Sequence, residues 1–134
     1  MALQSAWQPP LSIEVQRDPA LRTSSNYVWL RVKRPLPDDP LLHVCLMTYA
    51  SDLTLLDTVL LEHGVSWYDG RTSGASLDHA MWFHRPFRAD QWLLYAQDSP
   101  IAYGGRGLAR GEVFTAGGDL VVSVVQEGLI RTKV

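Results

Sequence analysis

The stretch of sequence that decides the fold is DDPLLHVCLMTYASDLTLLDTVLLEHG, residues 38–64. A helix is predicted to begin there, because Asp39 is a good capping residue and Pro40 suits the first helical turn. From Leu41 onward the apolar residues cover more than one stripe of this helix, which is typical of a helix buried on most sides. The helix is expected to break and resume near its middle and to end at Gly64, a residue type favoured as a C-cap.

Strand-like segments lie on both sides of this helix. They are identified by apolar residues at alternate positions or in short runs, and turn-forming residues separate them. Two segments precede the helix and four follow it: 11–16, 26–33, 77–83, 92–96, 107–114 and 120–125. One long buried helix with an antiparallel sheet wrapped around it is an α+β fold.

The chain has the length of a single domain, 134 residues. Residues 1–22 are expected to form a loosely structured leading segment with one short strand, and residues 23–134 to form the folded domain. The balanced charge, 12 Lys and Arg against 14 Asp and Glu, provides no basic face for nucleic acid. No apolar run reaches the length of a membrane-spanning helix, so no membrane partner is expected, and the first residues do not resemble a signal peptide.

Cysteine and histidine usage argues against a metal centre. Cys45 is the only cysteine, so neither an intrachain disulfide nor a Cys-rich zinc site is expected, and a reducing, cytoplasmic location is favoured. Its place within the apolar helix predicts a core residue. His79 and His84 lack the spacing of zinc ligands, and a strand places Asp78 and His79 on opposite faces. No metal site is predicted, and both histidines are interpreted as structural or loop-facing.

Polar residues inside apolar segments are the candidates for function, because a buried polar side chain needs a partner. Asp52 interrupts the helix, and three interpretations are open: a cap of a second helix, a solvent-facing side chain, or a general base in a cleft. Gln126 follows the last apolar strand, where backbone partners and a functional role are both open. Ser76 precedes a strand and lacks the Gly-x-Ser-x-Gly pattern of an attacking serine.

The glycine-rich run YGGRG, residues 103–107, is interpreted as a hairpin turn. It has neither the Gly-Lys-Ser/Thr ending nor the following helix of a phosphate-binding loop. The neighbouring arginines are either solvated surface residues or phosphate contacts at the rim of a cleft: Arg85, Arg88, Arg106 and Arg110.

Several motifs, in order along the chain, resemble the acyl-CoA thioesterase II family. The longest is ASLDHAMWFHRPF, residues 75–87. Shorter ones accompany it: LPDDP (36–40), YASD (49–52), WLLY (92–95), RGLARG (106–111) and VQEGLIR (125–131). The resemblance extends from about Ile13 to Arg131, and several motifs in order are more specific than any one alone.

The resemblance implies a hotdog fold, in which an antiparallel sheet wraps around a long helix. Members of the family carry two such units in one chain, and this sequence resembles only the second. Transferred by motif, the family's catalytic Asp, Ser or Thr, and Gln fall on Asp52, Ser76 and Gln126. The implied reaction is hydrolysis of fatty acyl-CoA to free acid and CoA, by a water that these side chains hold and that Asp52 deprotonates, without an acyl-enzyme.

The same resemblance implies how substrate and partner bind. Met81, Trp82 and Phe83 are expected to line an apolar tunnel for the acyl chain, and Arg106 to bind substrate at the rim. No cofactor is implied. Because two hotdog units of the family enclose the substrate between them, a homodimer or higher oligomer acting in lipid metabolism is expected. Two alternatives are open: a non-catalytic acyl-CoA-binding module, and a subunit that needs a separate hotdog partner.

Overall fold

A computed structural model describes residues 13–17, 26–63 and 72–132 of the chain. They form two helices and six strands, in the order β1 (Ile13–Arg17), β2 (Asn26–Val32), α1 (Pro40–Ser51), α2 (Leu55–His63), β3 (Thr72–Phe83), β4 (Leu93–Tyr103), β5 (Arg106–Thr115) and β6 (Leu120–Thr132). Within these ranges, neither helix has the length and apolar character needed to span a bilayer.

All six strands belong to one antiparallel sheet with the strand order β1-β2-β4-β5-β6-β3. The inner face of the sheet packs on the helices, and α2 contacts β4, β5 and β6. The core joins inward-facing strand residues such as Val28, Leu93 and Val113 to Met47 of α1 and Leu55 of α2. The predicted α+β class, with a sheet wrapped around a helix, is confirmed.

The start of the helix and its break are also as predicted. Pro40 is the first residue of α1, and the Asp39 carboxylate accepts the backbone N–H of Leu41 at 3.1 Å. The helix stops at Ser51 and resumes at Leu55.

Part of the prediction lies outside the described residues. Gly64, the expected C-cap, is one such position, and so is most of the leading segment 1–22. The one strand expected in that segment is β1, and it pairs with β2 as the first strand of the sheet.

The expectation of a helix buried on most sides is wrong for α1. His43, Leu46 and Met47 face the core, whereas Cys45 and Tyr49 are exposed. Cys45 is therefore a surface residue of α1 rather than the core residue that was predicted. The helix has one apolar stripe against the sheet and a second face that none of the described residues covers.

Three strands, β3, β4 and β6, are longer than the sequence predicts by five residues or more. β4 continues through Pro100, because its register shifts between Asp98 and Ile101 and such an irregularity tolerates a proline. β3 begins earlier than predicted, and β6 continues beyond its apolar run. Gln126 therefore lies inside β6 rather than at the end of a strand.

Polar side chains on the inner face of β4 hold the helices in register with the sheet. The Tyr95 hydroxyl donates to the carbonyl oxygen of Ser51, the last residue of α1, at 2.9 Å. Gln97 Nε2 donates to Thr54 Oγ1 at 2.7 Å, and Gln97 Oε1 accepts from Thr58 Oγ1 at 2.7 Å. These groups are buried, where an unpaired polar atom is costly. The junction between α1 and α2 is therefore fixed at both of its ends.

Gly107 of β5 lies directly beneath α2. A Cβ atom at this position would stand 2.3 Å from Val59 Cγ1 and 3.1 Å from Ile130 Cδ1. Val59 is buried and β-branched, so its side chain has few alternative rotamers. The close packing of α2 on the sheet therefore requires a residue without a side chain here.

We expect Gly107→Ala to lower the free energy of unfolding by about 1–3 kcal/mol, because the added methyl group overpacks the core. Urea denaturation measures the change. Gly117→Ala is the matched control, since the nearest atom to a Cβ there is 3.8 Å away, and it should change stability by less than about 0.5 kcal/mol. Equal stabilities of the two variants would contradict the close packing.

Arg88 and Asp90 anchor the segment that leads from β2 into α1. Arg88 Nε and Nη2 donate to the two carboxylate oxygens of Asp90, both at 3.0 Å. The backbone of Leu36 bonds to both, through its carbonyl to Arg88 and its N–H to Asp90, at 2.8 Å each. The Arg88 hydrogen bonds, followed by that of the Leu36 N–H, lower the pKa of Asp90 to about 2.

This pKa predicts a pH-dependent stability. The ordinary pKa of Asp is about 4, so the ionised Asp90 stabilises the fold fully above about pH 4 and loses this effect as the pH falls towards 2. We expect Asp90→Asn to be less stable than the parent at pH 7 and the difference to shrink below pH 4, measured by urea denaturation.

The control for this prediction is Asp119→Asn. Asp119 pairs with Arg85 at 3.2 Å on the exposed surface, where an ion pair contributes little. A stability difference between Asp90→Asn and the parent that stays constant from pH 7 to pH 3 would rule out the ionised pair as its cause.

Candidate active site

The structure brings Asp52, Ser76 and Gln126 into one hydrogen-bonded cluster. Gln126 Nε2 donates one hydrogen to Asp52 Oδ1 at 2.9 Å and the other to Ser76 Oγ. Gln126 is fully buried, whereas the Asp52 side chain is 60% exposed. A buried amide thus connects a serine hydroxyl to a carboxylate that reaches the protein surface.

Asp52 lies immediately after α1, with its backbone still in the helical region. A helix C-terminus carries a partial negative charge, so a carboxylate there does not stabilise α1. Burial, and next the negative charge of Asp52, raise the pKa of Tyr95 far above its usual range. The phenol therefore keeps its proton and its hydrogen bond to the carbonyl of Ser51, which fixes the end of the helix next to Asp52.

Gln126 points inward from β6, with Ala109 of β5 and His79 of β3 as its cross-strand neighbours. The orientation of its amide is fixed, because the reversed amide would place Oε1 against the Asp52 carboxylate. Oε1 is buried and accepts no hydrogen bond from the described part of the chain.

An irregularity in β3 brings Ser76 and His79 to the same face. Residues three apart in a regular strand point to opposite faces. The register shifts between Ser76 and Asp78, so that Ser76 lies opposite Gly128 and His79 lies opposite Gln126. Such a bulge inserts one extra residue. Both side chains therefore point inward, towards Gln126, while Asp78 points to the outer face as predicted.

A cleft of about 590 Å³ opens beside the cluster. It is lined by Cys45, Thr48, Tyr49, Asp52, Leu53, Ser76 and His79. Sequence reasoning missed Cys45, Tyr49 and His79 as residues of the site. The spacing of Cys45, Tyr49 and Asp52 was the available signal, because residues four and three apart share one helix face. His79 had a signal too, since strand alternation places it on the same face as Met81 and Phe83.

Two of the residues expected to bind substrate lie on the inner face of the sheet. Met81 lies opposite Val124 and packs against the core. Phe83 stacks on Phe87, with ring centroids 6.4 Å apart, beside a second groove of about 500 Å³ at the start of α1. The inner face thus offers apolar surface along β3 beyond the cleft.

The other two lie on the outer face. Trp82 lies opposite Ser123 on β6 and is half exposed. Arg106 points away from the helices and stands 3.8 Å from the Glu127 carboxylate. The structure does not bring Trp82 or Arg106 to the hydrogen-bonded cluster. Over residues 13–17, 26–63 and 72–132, no three His, Cys, Asp or Glu side chains are grouped to hold a metal ion.

Known proteins agree with this fold and these motifs. The family model described as acyl-CoA thioesterase matches residues 12–129. The chain belongs to the acyl-CoA thioesterase family. Acyl-coenzyme A thioesterase 8 of Mus musculus is 39% identical over 135 residues, which cover 96% of this chain. The chain spans only 42% of that relative's length.

Solved structures also match this chain over only part of their own length. The acyl-CoA thioesterase II TesB2 of Mycobacterium marinum superposes with a TM-score of 0.81 at 46% identity, over 95% of this chain and 55% of that one. A protein from Alicyclobacillus acidocaldarius described as having a hot dog fold superposes with a TM-score of 0.66 at 18% identity, over 91% of this chain and 46% of that one. The hotdog fold implied by the motifs is confirmed.

Proposed function

We propose that this chain hydrolyses fatty acyl-CoA to free acid and CoA by direct attack of a water that Asp52 deprotonates. Membership of the acyl-CoA thioesterase family supports hydrolysis of a thioester. The observation that carries the mechanism is the buried Gln126 amide, which donates to both Asp52 and Ser76.

The directions of these hydrogen bonds support a separate task for each side chain. Gln126 uses both amide hydrogens, so Asp52 and Ser76 each act as acceptors towards it. A carboxylate has about four acceptor sites and Gln126 occupies one of them, so Asp52 remains able to act as a base. The Ser76 hydroxyl keeps its own hydrogen as a donor into the cleft. A serine nucleophile needs a base bonded to its hydroxyl. Here the base bonds to the amide instead, which favours water as the attacking group.

The reaction balances with these groups alone. The water oxygen bonds to the thioester carbonyl carbon while Asp52 takes one of its protons. The tetrahedral intermediate then expels the CoA sulfur, which receives that proton from Asp52. Free acid and CoA leave, and the carboxylate is restored. The acyl chain extends along the inner face of β3 past Met81 and Phe83.

A second copy of the chain completes the site in this proposal. β3 is the last strand of the described sheet, and residues 73–80 are all exposed along it. Leu77 and Phe83 expose 48% and 42% of their surface there, and the neighbouring face of α1 is uncovered too. An edge strand with apolar side chains is a template for pairing. Pairing of β3 with its copy across a twofold axis covers both surfaces and closes the cleft.

We expect Asp52→Asn to lower kcat by about 10²–10⁴-fold, because the general base is lost. The side-chain oxygen of the new Asn can still accept the hydrogen bond from Gln126, so the fold of the site is kept. Release of free CoA over a panel of short, medium and long acyl-CoAs measures this, and the panel also gives the chain preference. Asp98→Asn is the control, since Asp98 pairs with Arg110 on the outer face.

Two results would contradict the proposal. Unchanged hydrolysis by Asp52→Asn would overturn the mechanism. A folded parent chain that binds acyl-CoA but releases no CoA would favour a binding module instead.

We expect sedimentation and light scattering at micromolar concentration to give a molecular mass twice that of the single chain, which is 15.0 kDa. Leu77→Asp places a charge in the proposed interface and should shift the equilibrium towards the monomer. The same substitution at another exposed apolar residue, Ile101→Asp, should leave the dimer intact, because Ile101 lies on β4, away from β3. A parent chain that is monomeric would overturn the dimer.

Activity that appears only on mixing with a separate hotdog chain would point to a partner subunit.

A further inference from the structure

The imidazole of His79 lies in the cleft between α1 and β3, and the proposed function gives it no task. Its Nε2 stands 2.8 Å from Ser51 Oγ, and its Nδ1 stands 4.0 Å from Asp52 Oδ1. The side chain is 23% exposed. The same serine hydroxyl lies 3.4 Å from Met81 Sδ, which is only a weak acceptor.

Ser51 fixes which ring nitrogen of His79 carries the proton. The Ser51 hydroxyl donates its single hydrogen to the carbonyl oxygen of Thr48 at 2.7 Å. That carbonyl is open to this donor, because the backbone N–H of Asp52, its ordinary helical partner, bonds to Ala50 instead. Ser51 Oγ can then only accept from the imidazole. Nε2 is therefore the donor nitrogen of the neutral ring.

Nδ1 is then an acceptor, and it faces another acceptor, the Asp52 carboxylate. At 4.0 Å the two atoms do not form a hydrogen bond with each other. Two acceptors at this separation fit the two hydrogens of one water molecule. Such a water has its oxygen lone pairs directed away from both groups, towards the open cleft.

We propose that His79 Nδ1 is the second acceptor of the attacking water and orients it together with Asp52. This inference rests on the proposed function. Asp52 removes one hydrogen as the oxygen attacks, and the other hydrogen stays on the oxygen and leaves with the free acid. His79 gains and loses no proton, so its contribution is orientation. Regular alternation places the ring on the inner face with Met81, and the bulge in β3 brings Ser76 to that same face.

Two substitutions of His79 separate orientation from packing. His79→Ala removes the acceptor and should lower kcat by about 10- to 100-fold with little change in KM, as expected when a reacting group loses its alignment. His79→Asn places an amide oxygen near the position of Nδ1 and should retain most of the parent activity. His84→Ala is the control, because His84 bonds to Ser123 at 2.9 Å, away from the cleft.

The pH profile gives a second readout. A protonated imidazole has no acceptor at Nδ1, so kcat of the parent should rise with pH as the ring loses its proton. This limb of the pH profile should be missing in His79→Asn. The titratable groups lining the cleft with His79 are Asp52, Cys45 and Tyr49 on α1. The inner faces of β3 and β6 beside the ring carry Ser76 and Gln126, which do not titrate. The limb that belongs to Asp52 should persist in both proteins.

The tautomer is measurable without substrate. Proton–nitrogen correlation spectra of the ¹⁵N-labelled chain should show the neutral His79 ring protonated at Nε2, assigned by its loss in His79→Asn. A ring protonated at Nδ1 would overturn the inference, and so would a His79→Ala variant as active as His84→Ala.

The same experiments distinguish a missing role of His79 from a missing hydrolase activity. An active parent, an inactive Asp52→Asn and a fully active His79→Ala would remove His79 alone. A parent that releases no CoA would overturn the hydrolase and the orienting role together.

Discussion

The hydrogen bonds from the inner face of β4 to the junction between α1 and α2 are the constraint on which the site depends. Tyr95 fixes the last carbonyl of α1, and Gln97 fixes Thr54 just before α2 begins. Asp52 lies between these two anchors, and its carboxylate does not stabilise α1, whose C-terminus carries a partial negative charge. The buried polar residues of β4 thus act at a distance from the cleft, by setting where the carboxylate stands.

The sheet supplies the other half of the site through two departures from regularity. β6 places a fully buried Gln126 in an otherwise apolar row, and β3 carries a bulge that turns Ser76 and His79 to the same side. Neither feature strengthens the fold: a buried amide needs partners, and a bulge interrupts pairing. Gln126 and Ser76 are hydrogen-bonded to each other, and Gln126 and His79 bond to residues at the end of α1. The polar groups are therefore satisfied mainly within the site.

Most of the architecture could be predicted from local sequence. Asp39 and Pro40 locate the start of α1, and apolar alternation locates the strands. The face of α1 away from the sheet could not be predicted, because apolar residues on both sides of a helix do not tell which side a sheet covers. Asp52 and Gln126 were open candidates as polar residues in apolar segments, and only the motifs around them grouped them with Ser76. Strand alternation is enough to place His79 on the face of Met81 and Phe83. The direction of Ser76 could not be predicted, because it depends on the register of β3 against β6, which no single strand encodes.

In the proposed mechanism water, not a protein side chain, attacks the thioester. The most direct test is a rapid-quench time course that follows CoA and free acid in the first turnover. Attack by a water held by Asp52 and its neighbours predicts that the two products appear together from the first time point. A burst of CoA ahead of free acid, equal in amount to the enzyme, would show an acyl-enzyme and contradict this mechanism.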